Sequence, residues 1–306
     1  MTGTPASTSR PEIVVPPEIF ETVAESMGAF FEPISRVDRK TSSRDFLDLA
    51  KCYRRAEILQ RYTSLEGKKL LEVGSGYGTN LAVWLRHFQV DGYGVEPGGE
   101  GFNQGFLASR KLLAANGMDP ERVRNTGGES LPFPDESFDI VYSSNVLEHT
   151  EDPAQVLKES IRVLRRGGVL HMEMPNYLSY FEGHYMVVQP PIFWKPMLPL
   201  WVKYVVRRDP AFAGTLRTEI NPVWCRRTVK EIGKTYPVEL VSLGGEVFLE
   251  RLSQAFVFET TVVAGRLQRT MGVLRAVNQG NWVGRLMVAL QGHFPIYLTV
   301  RRVVPA

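Results

Sequence analysis

The sequence predicts an α/β fold, a doubly wound sheet of mainly parallel strands with helices on both faces. Short apolar runs alternate with amphipathic stretches between residues 68 and 175, and a loop with three glycines joins the first run to the first stretch. Two further apolar runs follow near the end of the chain. Strands that alternate with helices form parallel sheets, because each crossover helix lets the next strand run in the same direction.

Seven short segments, most of them apolar, are the predicted strands. Five of them fall in the alternating region: KKLLEV (68–73), DGYGVEP (91–97), RVRNT (122–126), FDIVYSS (138–144) and GGVLHMEM (167–174). The two later runs are PVELVSL (237–243) and PIYLTVRRV (295–303). Runs of this kind, bounded by glycine, proline and polar residues, are typical of buried strands.

The stretches between the strands carry apolar residues at three- and four-residue spacing, which predicts amphipathic helices. The best marked of them follows the fourth strand. Asp152 is its predicted N-cap, Pro153 its first residue and Gly167 the residue that ends it.

The pattern divides the chain into three parts. Residues 1–16 have the composition of a flexible tail. Residues 17–63 have helical periodicity throughout and predict an N-terminal helical cap. Residues 64–306 then form the α/β domain.

Two insertions separate the last strands of this domain. Residues 176–235 hold nine aromatic residues between Tyr177 and Phe212, which predicts an aromatic lid over the sheet. Residues 245–294 have the periodicity of amphipathic helices. The apolar, proline-rich part of the first insertion could also lie against lipid headgroups.

Composition and charge exclude several functions. The net charge of +3 is too small to favour a nucleic-acid partner. Cys52 and Cys225 are far apart, so we expect neither a zinc site nor a disulfide framework, and a reducing, cytoplasmic location fits best. The apolar windows 186–206 and 282–300 are interrupted by proline or basic residues, so we expect a soluble protein without a membrane span, which could still contact the inner face of a membrane peripherally.

The glycine loop points to a nucleoside-containing ligand. In LLEVGSGYGTN (70–80), the three glycines stand between a strand and a helix N-terminus, where a bare backbone lets a ligand approach free N–H groups. Glu96 ends the second strand, where a carboxylate can accept hydrogen bonds from a ribose diol. A dinucleotide and S-adenosylmethionine both meet these requirements. Glu72, which precedes the loop, would repel the pyrophosphate of a dinucleotide, and this favours S-adenosylmethionine.

Several segments together resemble class I S-adenosylmethionine-dependent methyltransferases. LLEVGSGYGTN and GVEPG are similar to the first two motifs of that family. GGESLPFPDESFDIVYSSNVLEHTEDP (127–153) and VLKESIRVLRRGGVLHMEMPN (156–176) resemble its fourth and fifth strands with their helix. The resemblance covers residues 60–176. It implies a Rossmann-like sheet of seven strands in the order 3-2-1-4-5-7-6, with the last strand antiparallel.

The resemblance also implies a cofactor, S-adenosylmethionine, and the residues that bind it. Those around the methionine part are Glu72, Gly74, Ser75, Gly76, Gly78 and Asn145. Those around the ribose and adenine are Glu96, Pro97, Glu129, Ser130 and Leu131. The sequence departs from the pattern at Gly127, where many relatives carry an aspartate that meets the adenine amine. Packing alone would explain Ser130 and Leu131 as well as ligand contact does.

Two histidines are candidate general bases for a hydroxyl acceptor. His149 lies in NVLEH, just past the fourth strand, and His184 lies past the fifth, two residues after Glu182. Either histidine could instead be structural, His149 as a helix cap and His184 as a surface-loop residue.

Some methyltransferases of this fold bind a divalent metal through an E-x-x-E-H sequence. Asn145 replaces the first acid here, before Glu148 and His149. Because Mg²⁺ prefers carboxylate oxygen, we expect no bound metal.

The acceptor is expected to be small or amphipathic, because an aromatic lid suits a ring, a sugar face or an isoprenoid chain. The first hypothesis is O-methylation of a sugar, a glycolipid or another small hydroxylated metabolite. The stretch PNYLSYFEGHY is loosely similar to methyltransferases of bacterial polysaccharide and glycolipid synthesis. The alternatives are C- or N-methylation of a quinone or natural product, and a non-catalytic protein that binds S-adenosylmethionine. The oligomeric state stays open.

Overall fold

The computed structural model describes residues 12–99, 104–253 and 282–304. Most of the predicted tail and the middle of the second predicted insertion, residues 254–281, lie outside this described part of the chain. No helix of the described residues combines the length and the hydrophobicity that crossing a bilayer requires.

A sheet of seven strands forms the centre of the protein. Its strands are β1 Lys69–Val73, β2 Asp91–Val95, β3 Val123–Arg124, β4 Phe138–Ser144, β5 Leu164–Met174, β8 Val238–Ser242 and β9 Ile296–Arg302. Strands β6 Phe181–Glu182 and β7 Val187–Val188 form a separate hairpin. The order in the large sheet is β3-β2-β1-β4-β5-β9-β8. This confirms the predicted order, because β9 and β8 are the seventh and sixth strands of that sheet.

The strand directions also follow the prediction. Strands β1 to β5 pair in parallel, with Leu71 of β1 between Tyr93 of β2 and Val141 of β4. Strand β9 runs antiparallel between β5 and β8 and aligns Leu298 with Met172. The carboxyl ends of β1, β2, β4 and β5 therefore meet at one edge of the sheet, where folds of this type bind their ligands.

Helices cover both faces of the sheet. They are α1 Pro17–Val23, α2 Ala29–Ser35, α3 Arg39–Phe46, α4 Leu49–Leu59, α5 Thr79–His87, α6 Gly105–Ala115, α7 Pro153–Val163, α8 Met197–Trp201, α9 Ala211–Thr215, α10 Pro222–Ile232, α11 Gly245–Ser253 and α12 Trp282–Ala289. Neighbouring residues of β1 serve opposite faces: Leu70 packs with α4, α5 and α6, and Leu71 packs with α7 and α10. This alternation builds one core on each side of the sheet.

The first four helices form a bundle that is fastened to the sheet domain. A π-helical turn, Ala24–Gly28, makes α1 and α2 continuous. Asp38 and Asp48 cap α3 and α4 through hydrogen bonds to backbone N–H groups. The Trp84 indole of α5 donates to the carbonyl of Cys52 in α4 at 2.8 Å, in a fully buried contact.

The two ends of helix α7 can be compared with the predicted start and end. Asp152 accepts hydrogen bonds from the N–H groups of Ala154 and Gln155, and Pro153 is the first helical residue, which confirms the predicted start. The predicted end at Gly167 is wrong, because the helix stops at Val163 and the chain continues directly into β5. Leu164 pairs with Phe138 of β4, so sheet pairing outweighs the helical periodicity of these residues.

Between β5 and β8 the chain forms the hairpin β6–β7, two short helices and α10. Arg208 joins this segment to the helical bundle: its guanidinium donates to the carbonyl of Ile34 at 2.7 Å and to that of Tyr185. The Tyr185 hydroxyl donates to the carbonyl of Asp209 at 2.8 Å. These bonds hold the bundle and the segment together over the carboxyl edge of the sheet.

Candidate active site

The glycine loop turns sharply between β1 and α5. Gly74, Gly76 and Gly78 all have positive φ, a region that only glycine enters at little cost. A side chain at Gly74 would overlap Val146, so the loop packs tightly against the segment after β4. A side chain at Gly76 would meet nothing within 4 Å among the described residues. The loop therefore presents bare backbone to an open space at Gly76.

Glu96 faces this space from the end of β2. Its Oε2 accepts a hydrogen bond of 2.8 Å from the N–H of Gly76. Burial raises the pKa of Glu96 to about 7, although the bond from Gly76 opposes the shift. Helix α6 begins here with Gly105, where a Cβ atom would lie 2.9 Å from Glu96 Oε1. The carboxylate thus lies at the loop, where it can accept from a pair of hydroxyl groups.

Glu72 and Ser75 carry buried oxygens that have no protein partner. Glu72 Oε1 accepts from the Asn80 amide at 2.7 Å. Glu72 Oε2 and Ser75 Oγ are buried without a hydrogen-bond partner among the described residues. Burial raises the pKa of Glu72 to about 8, against the hydrogen bond of Asn80 and the charge of Arg55. Since buried polar atoms are rarely left unpaired, these oxygens indicate a ligand with a donor group.

The structure spreads the other predicted cofactor residues around the same edge. Pro97 and Ser130 are exposed. Glu129 Oε1 accepts from the N–H of Glu151 at 3.2 Å. Leu131 is buried in the core beside α7, and its contact with the cofactor stays a prediction. Asn145 is exposed at the end of β4 with a positive φ, and its amide donates to Ser144 Oγ at 3.2 Å.

Gly127 and Glu129 are close neighbours. A Cβ atom at Gly127 would lie 2.8 Å from Glu129 Oε2. The Glu129 carboxylate thus lies beside the position where many members of the resembled family carry an aspartate. This placement favours Glu129 as the acid that meets the adenine amine, a role that stays a prediction.

Four side chains that the sequence places on two separate segments form one cluster, which we call the histidine corner: Glu148, His149, Glu182 and His184. The Nε2 atoms of His149 and His184 lie 3.2 Å apart. His184 Nδ1 lies 2.6 Å from Glu182 Oε1, and Glu182 Oε2 accepts from the N–H of Tyr185 at 2.6 Å. Glu148 Oε1 lies 3.8 Å from His149 Nε2. The two predicted histidines are therefore direct neighbours.

The pKa values of the two histidines in the corner shift in opposite directions. Burial lowers the pKa of His184, but the charge and hydrogen bond of Glu182 and the charge of Glu148 outweigh this, so its net pKa is raised. Burial and the neighbouring His184 lower the pKa of His149, although 38% of its side chain remains accessible. Burial raises the pKa of Glu148 to about 7. The corner thus pairs a basic imidazole with a neutral one.

The corner is the polar end of a largely apolar cavity of about 420 Å³. Apolar side chains of the helical bundle and of the C-terminal half form its walls: Met27, Phe31, Phe46, Phe181, Met186, Phe248 and Phe294. The Phe31 ring stacks on His184 with centroids 6.0 Å apart. Phe212 meets the same imidazole edge to face at 5.3 Å. An acceptor in this cavity would lie against apolar walls and would meet polar groups that include Asn145 and the corner.

Sequence reasoning missed the contribution of the helical bundle to the cavity. Met27, Phe31 and Phe46 are ordinary apolar positions of amphipathic helices, and no local signal separates a cavity wall from a core residue. It also missed Arg55, whose Nε lies 3.3 Å from Glu173 Oε2. Glu173 also accepts from Ser144 Oγ at 3.0 Å, so these groups fix the ends of β4 and β5 beside the cavity.

Comparison with known proteins agrees with this geometry. The family profile described as a methyltransferase domain matches residues 71–172. An uncharacterized methyltransferase of Mycobacterium sp. (strain JLS) is 36% identical over 124 residues, which is 40% of this chain and 45% of the relative. One from Mycobacterium avium (strain 104) is 38% identical over 124 residues, 40% of this chain and 46% of the relative. The chain spans about half the length of the curated relatives it matches.

Among solved structures, the phosphoethanolamine N-methyltransferase 2 of Haemonchus contortus, in complex with phosphomonomethylethanolamine and S-adenosylhomocysteine, is 17% identical. The match covers 92% of this chain and 60% of that one, with a TM-score of 0.49.

The sheet order and the matched segment together define the class: the chain contains a Rossmann-like methyltransferase domain. This segment is similar to class I S-adenosylmethionine-dependent methyltransferases, whose cofactor is S-adenosylmethionine. The site fits this group, since the orphaned Glu72 Oε2 suits its ammonium and Glu96 suits its ribose hydroxyls. Bound there, the cofactor supplies a methyl group on a sulfonium.

The buried Glu72 predicts how the stability of the cofactor-free protein depends on pH. Its folded-state pKa of about 8 lies above the ordinary 4.5, so ionisation of Glu72 opposes folding. This cost begins above the ordinary pKa and grows until pH reaches about 8. We expect the melting temperature of Glu72→Gln, relative to the unchanged protein, to rise between about pH 5 and pH 8 and then level off. Thermal melts of both proteins across this range measure the difference, and a constant difference would contradict the assignment.

Proposed function

We propose that the whole protein transfers a methyl group from S-adenosylmethionine to a hydroxyl group of a sugar, a glycolipid or another small hydroxylated metabolite. One observation carries this proposal: an acid–histidine pair, Glu182 and His184, forms the polar end of an apolar cavity beside the cofactor loop. Methyl transfer to oxygen needs a group that takes the hydroxyl proton, whereas many carbon and amine acceptors do not.

The corner has the parts that such proton removal needs. The Glu182 carboxylate accepts from His184 Nδ1–H, so the neutral ring can take a proton at Nε2, the nitrogen that lies 3.2 Å from His149. Once protonated, the imidazolium is stabilised by the carboxylate beside it. Arg217 fastens the segment that carries His149, because its Nε donates to the carbonyl of Thr150 at 2.6 Å. These contacts position both histidines with little freedom.

The glycine loop and the corner are close through one segment. Val146 packs against Gly74, and the next residues, Leu147 to His149, form the turn that carries the corner. Asn145 lines the cavity from the same segment. A cofactor on the loop and an acceptor in the cavity would therefore meet near Asn145. Such alignment of donor and acceptor is the main requirement of an in-line displacement.

A screen of acceptors with radiolabelled S-adenosylmethionine tests the proposal. Hydroxylated sugars, glycolipids and phenols are compared with matched amines and with quinones that lack a free hydroxyl group. We expect label in the hydroxylated acceptors, as an ether stable to mild base. Label that enters only amines or carbon would contradict O-methylation. Binding of the cofactor without turnover on any acceptor would favour a binding protein.

The surface supports the further proposal that the protein works at the inner face of the cytoplasmic membrane. Phe193 and Trp194 are 76% and 57% exposed, and Tyr204 is 65% exposed. Lys195 and Lys203 lie in the same segment, where cations suit anionic lipid headgroups. An exposed aromatic patch with flanking lysines is typical of interfacial contact and would give access to a glycolipid.

The double substitution Phe193→Ser and Trp194→Ser is expected to weaken binding to anionic phosphatidylglycerol vesicles by roughly tenfold or more, because both rings lose apolar contact. Val223→Ser is the matched control, since Val223 is 60% exposed on α10, in a different segment of the chain. Co-sedimentation with vesicles measures the membrane binding of the double variant and of the control. Equal binding by the double variant and the control would contradict membrane contact through this patch.

A further inference from the structure

We propose that Glu148, His149 and His184 bind a divalent transition-metal ion, with Glu182 as the group that orients His184. The role of this metal in methyl transfer rests on the proposed function. Whether the site binds a metal can be tested without an acceptor. Spacing in the sequence argued against a metal, because Asn145 replaces an acid. The structure supplies a different third ligand, His184, which lies 35 residues beyond His149.

The donor atoms already have the spacing of a coordination sphere. One ligand atom from each of Glu148, His149 and His184 lies within 4.8 Å of the others. The two Nε2 atoms are 3.2 Å apart. With bonds of about 2.0–2.1 Å, two nitrogen ligands of a tetrahedral ion lie roughly 3.3–3.4 Å apart. The distance from Glu148 Oε1 to His149 Nε2, 3.8 Å, is within a small side-chain movement of that value.

Glu182 supports the same interpretation. Ligating histidines usually donate their second ring N–H to a carboxylate, which fixes the tautomer and the orientation of the ring. His184 Nδ1 lies 2.6 Å from Glu182 Oε1, so Nε2 is the lone-pair nitrogen when the ring is neutral. That nitrogen points at His149 Nε2. When His149 carries its proton on Nδ1, both Nε2 atoms offer lone pairs, and one cation between them can accept both.

An independent observation comes from Glu148. This residue is 1% exposed, and its Oε2 has no hydrogen-bond partner among the described residues. A buried carboxylate oxygen without a partner carries a large desolvation cost. A cation between Glu148 and the imidazoles would remove that cost. The orphaned oxygen belongs to the carboxylate whose other oxygen faces His149, so it supports a cation at this corner.

The ligand set selects the class of metal. Two imidazoles and one carboxylate suit Zn²⁺, Fe²⁺, Co²⁺ or Mn²⁺ better than Mg²⁺ or Ca²⁺, which prefer all-oxygen sites. All three ligands line the apolar cavity, so a fourth position faces the acceptor. Three protein ligands with an open position are typical of catalytic rather than structural zinc.

The ion would replace the imidazoles in proton removal. A hydroxyl group in the open position loses its proton to solvent more readily, because the cation stabilises the oxyanion. The oxygen then forms a bond to the methyl carbon while the carbon–sulfur bond breaks, which leaves a neutral thioether. With the ion bound, His149 and His184 act as ligands and not as bases.

Metal binding to the chelator-treated protein tests the site. The full chain is stripped with a chelator, dialysed and titrated with Zn²⁺ by calorimetry and with Co²⁺ by visible absorption. We expect one tight site per chain and absorption bands of four-coordinate Co²⁺. His149→Ala and Glu148→Gln should lose at least a hundredfold in affinity, and Glu182→Gln roughly 10- to 100-fold. His87→Ala, a histidine of α5 outside the cavity, should bind as the unchanged protein does.

A variant that still binds S-adenosylmethionine is folded, and its metal affinity then tests the proposed site. No tight site in the unchanged protein, or equal affinity in His149→Ala and Glu148→Gln, would overturn the metal site. Tight binding that needs both residues would establish it even if no hydroxyl acceptor is methylated. Methylation of a hydroxyl group that persists without metal would preserve the proposed function and overturn the metal's role in it.

Discussion

The substitution Gly76→Ala is expected to weaken binding of S-adenosylmethionine at least tenfold, about 1.4 kcal/mol of binding free energy. A Cβ atom at Gly76 would enter the open space in front of the loop, where the structure places no protein atom of the described residues within 4 Å. The same change also forces an L-residue into a positive φ, which costs roughly 1 kcal/mol of stability. A control must therefore separate strain from loss of the ligand's space.

Gly117→Ala is that control. Gly117 follows α6, has a φ of +68° and, like Gly76, has no described atom within 4 Å of an added Cβ. Both variants should lose similar stability in thermal melts, but only Gly76→Ala should lose affinity in calorimetric titration. Equal affinity in the two variants would mean that the open space at Gly76 is not where the cofactor binds.

The sheet could be predicted because its signals are local. Strands β1, β4 and β5 contain short apolar runs, and Asp152 and Pro153 mark the start of α7 by side-chain chemistry that acts within a few residues. The end of α7 could not be predicted. Leu164 continues the helical periodicity, yet it pairs with Phe138 across the sheet, a contact that no local pattern contains.

The sequence predicts the site residues that lie at strand ends. It does not predict contacts that depend on how the insertions pack. Glu96 meets Gly76 because β1 and β2 are adjacent and end at the same edge. The contact between His149 and His184 depends on how the β6–β7 hairpin packs against the turn Leu147–His149, and the sequence between them does not specify that. The same is true of Phe31, which reaches His184 from the helical bundle.

The second large effect is expected from His184→Ala, which should lower kcat by roughly 10²- to 10⁴-fold on a hydroxyl acceptor. The imidazole lies between Glu182 and His149 at the polar end of the cavity, so its removal takes away the base that Glu182 supports and leaves the ligand set incomplete. The affinity for S-adenosylmethionine should change little, because His184 has no contact with the glycine loop, Glu72 or Glu96. Loss of kcat with unchanged cofactor binding is therefore the expected signature.

Glu182→Gln gives a graded comparison with His184→Ala. The amide can still accept from His184 Nδ1–H, but it brings no charge to stabilise the imidazolium or to strengthen the ring as a ligand. We expect a smaller loss of kcat, intermediate between His184→Ala and the His87→Ala control. Single-turnover rates with saturating cofactor measure the three variants under the same conditions. If His184→Ala turned over at the rate of the control, neither proton removal nor metal binding at this corner could take part in methyl transfer, and an acceptor that needs no base would be the better explanation of the cavity.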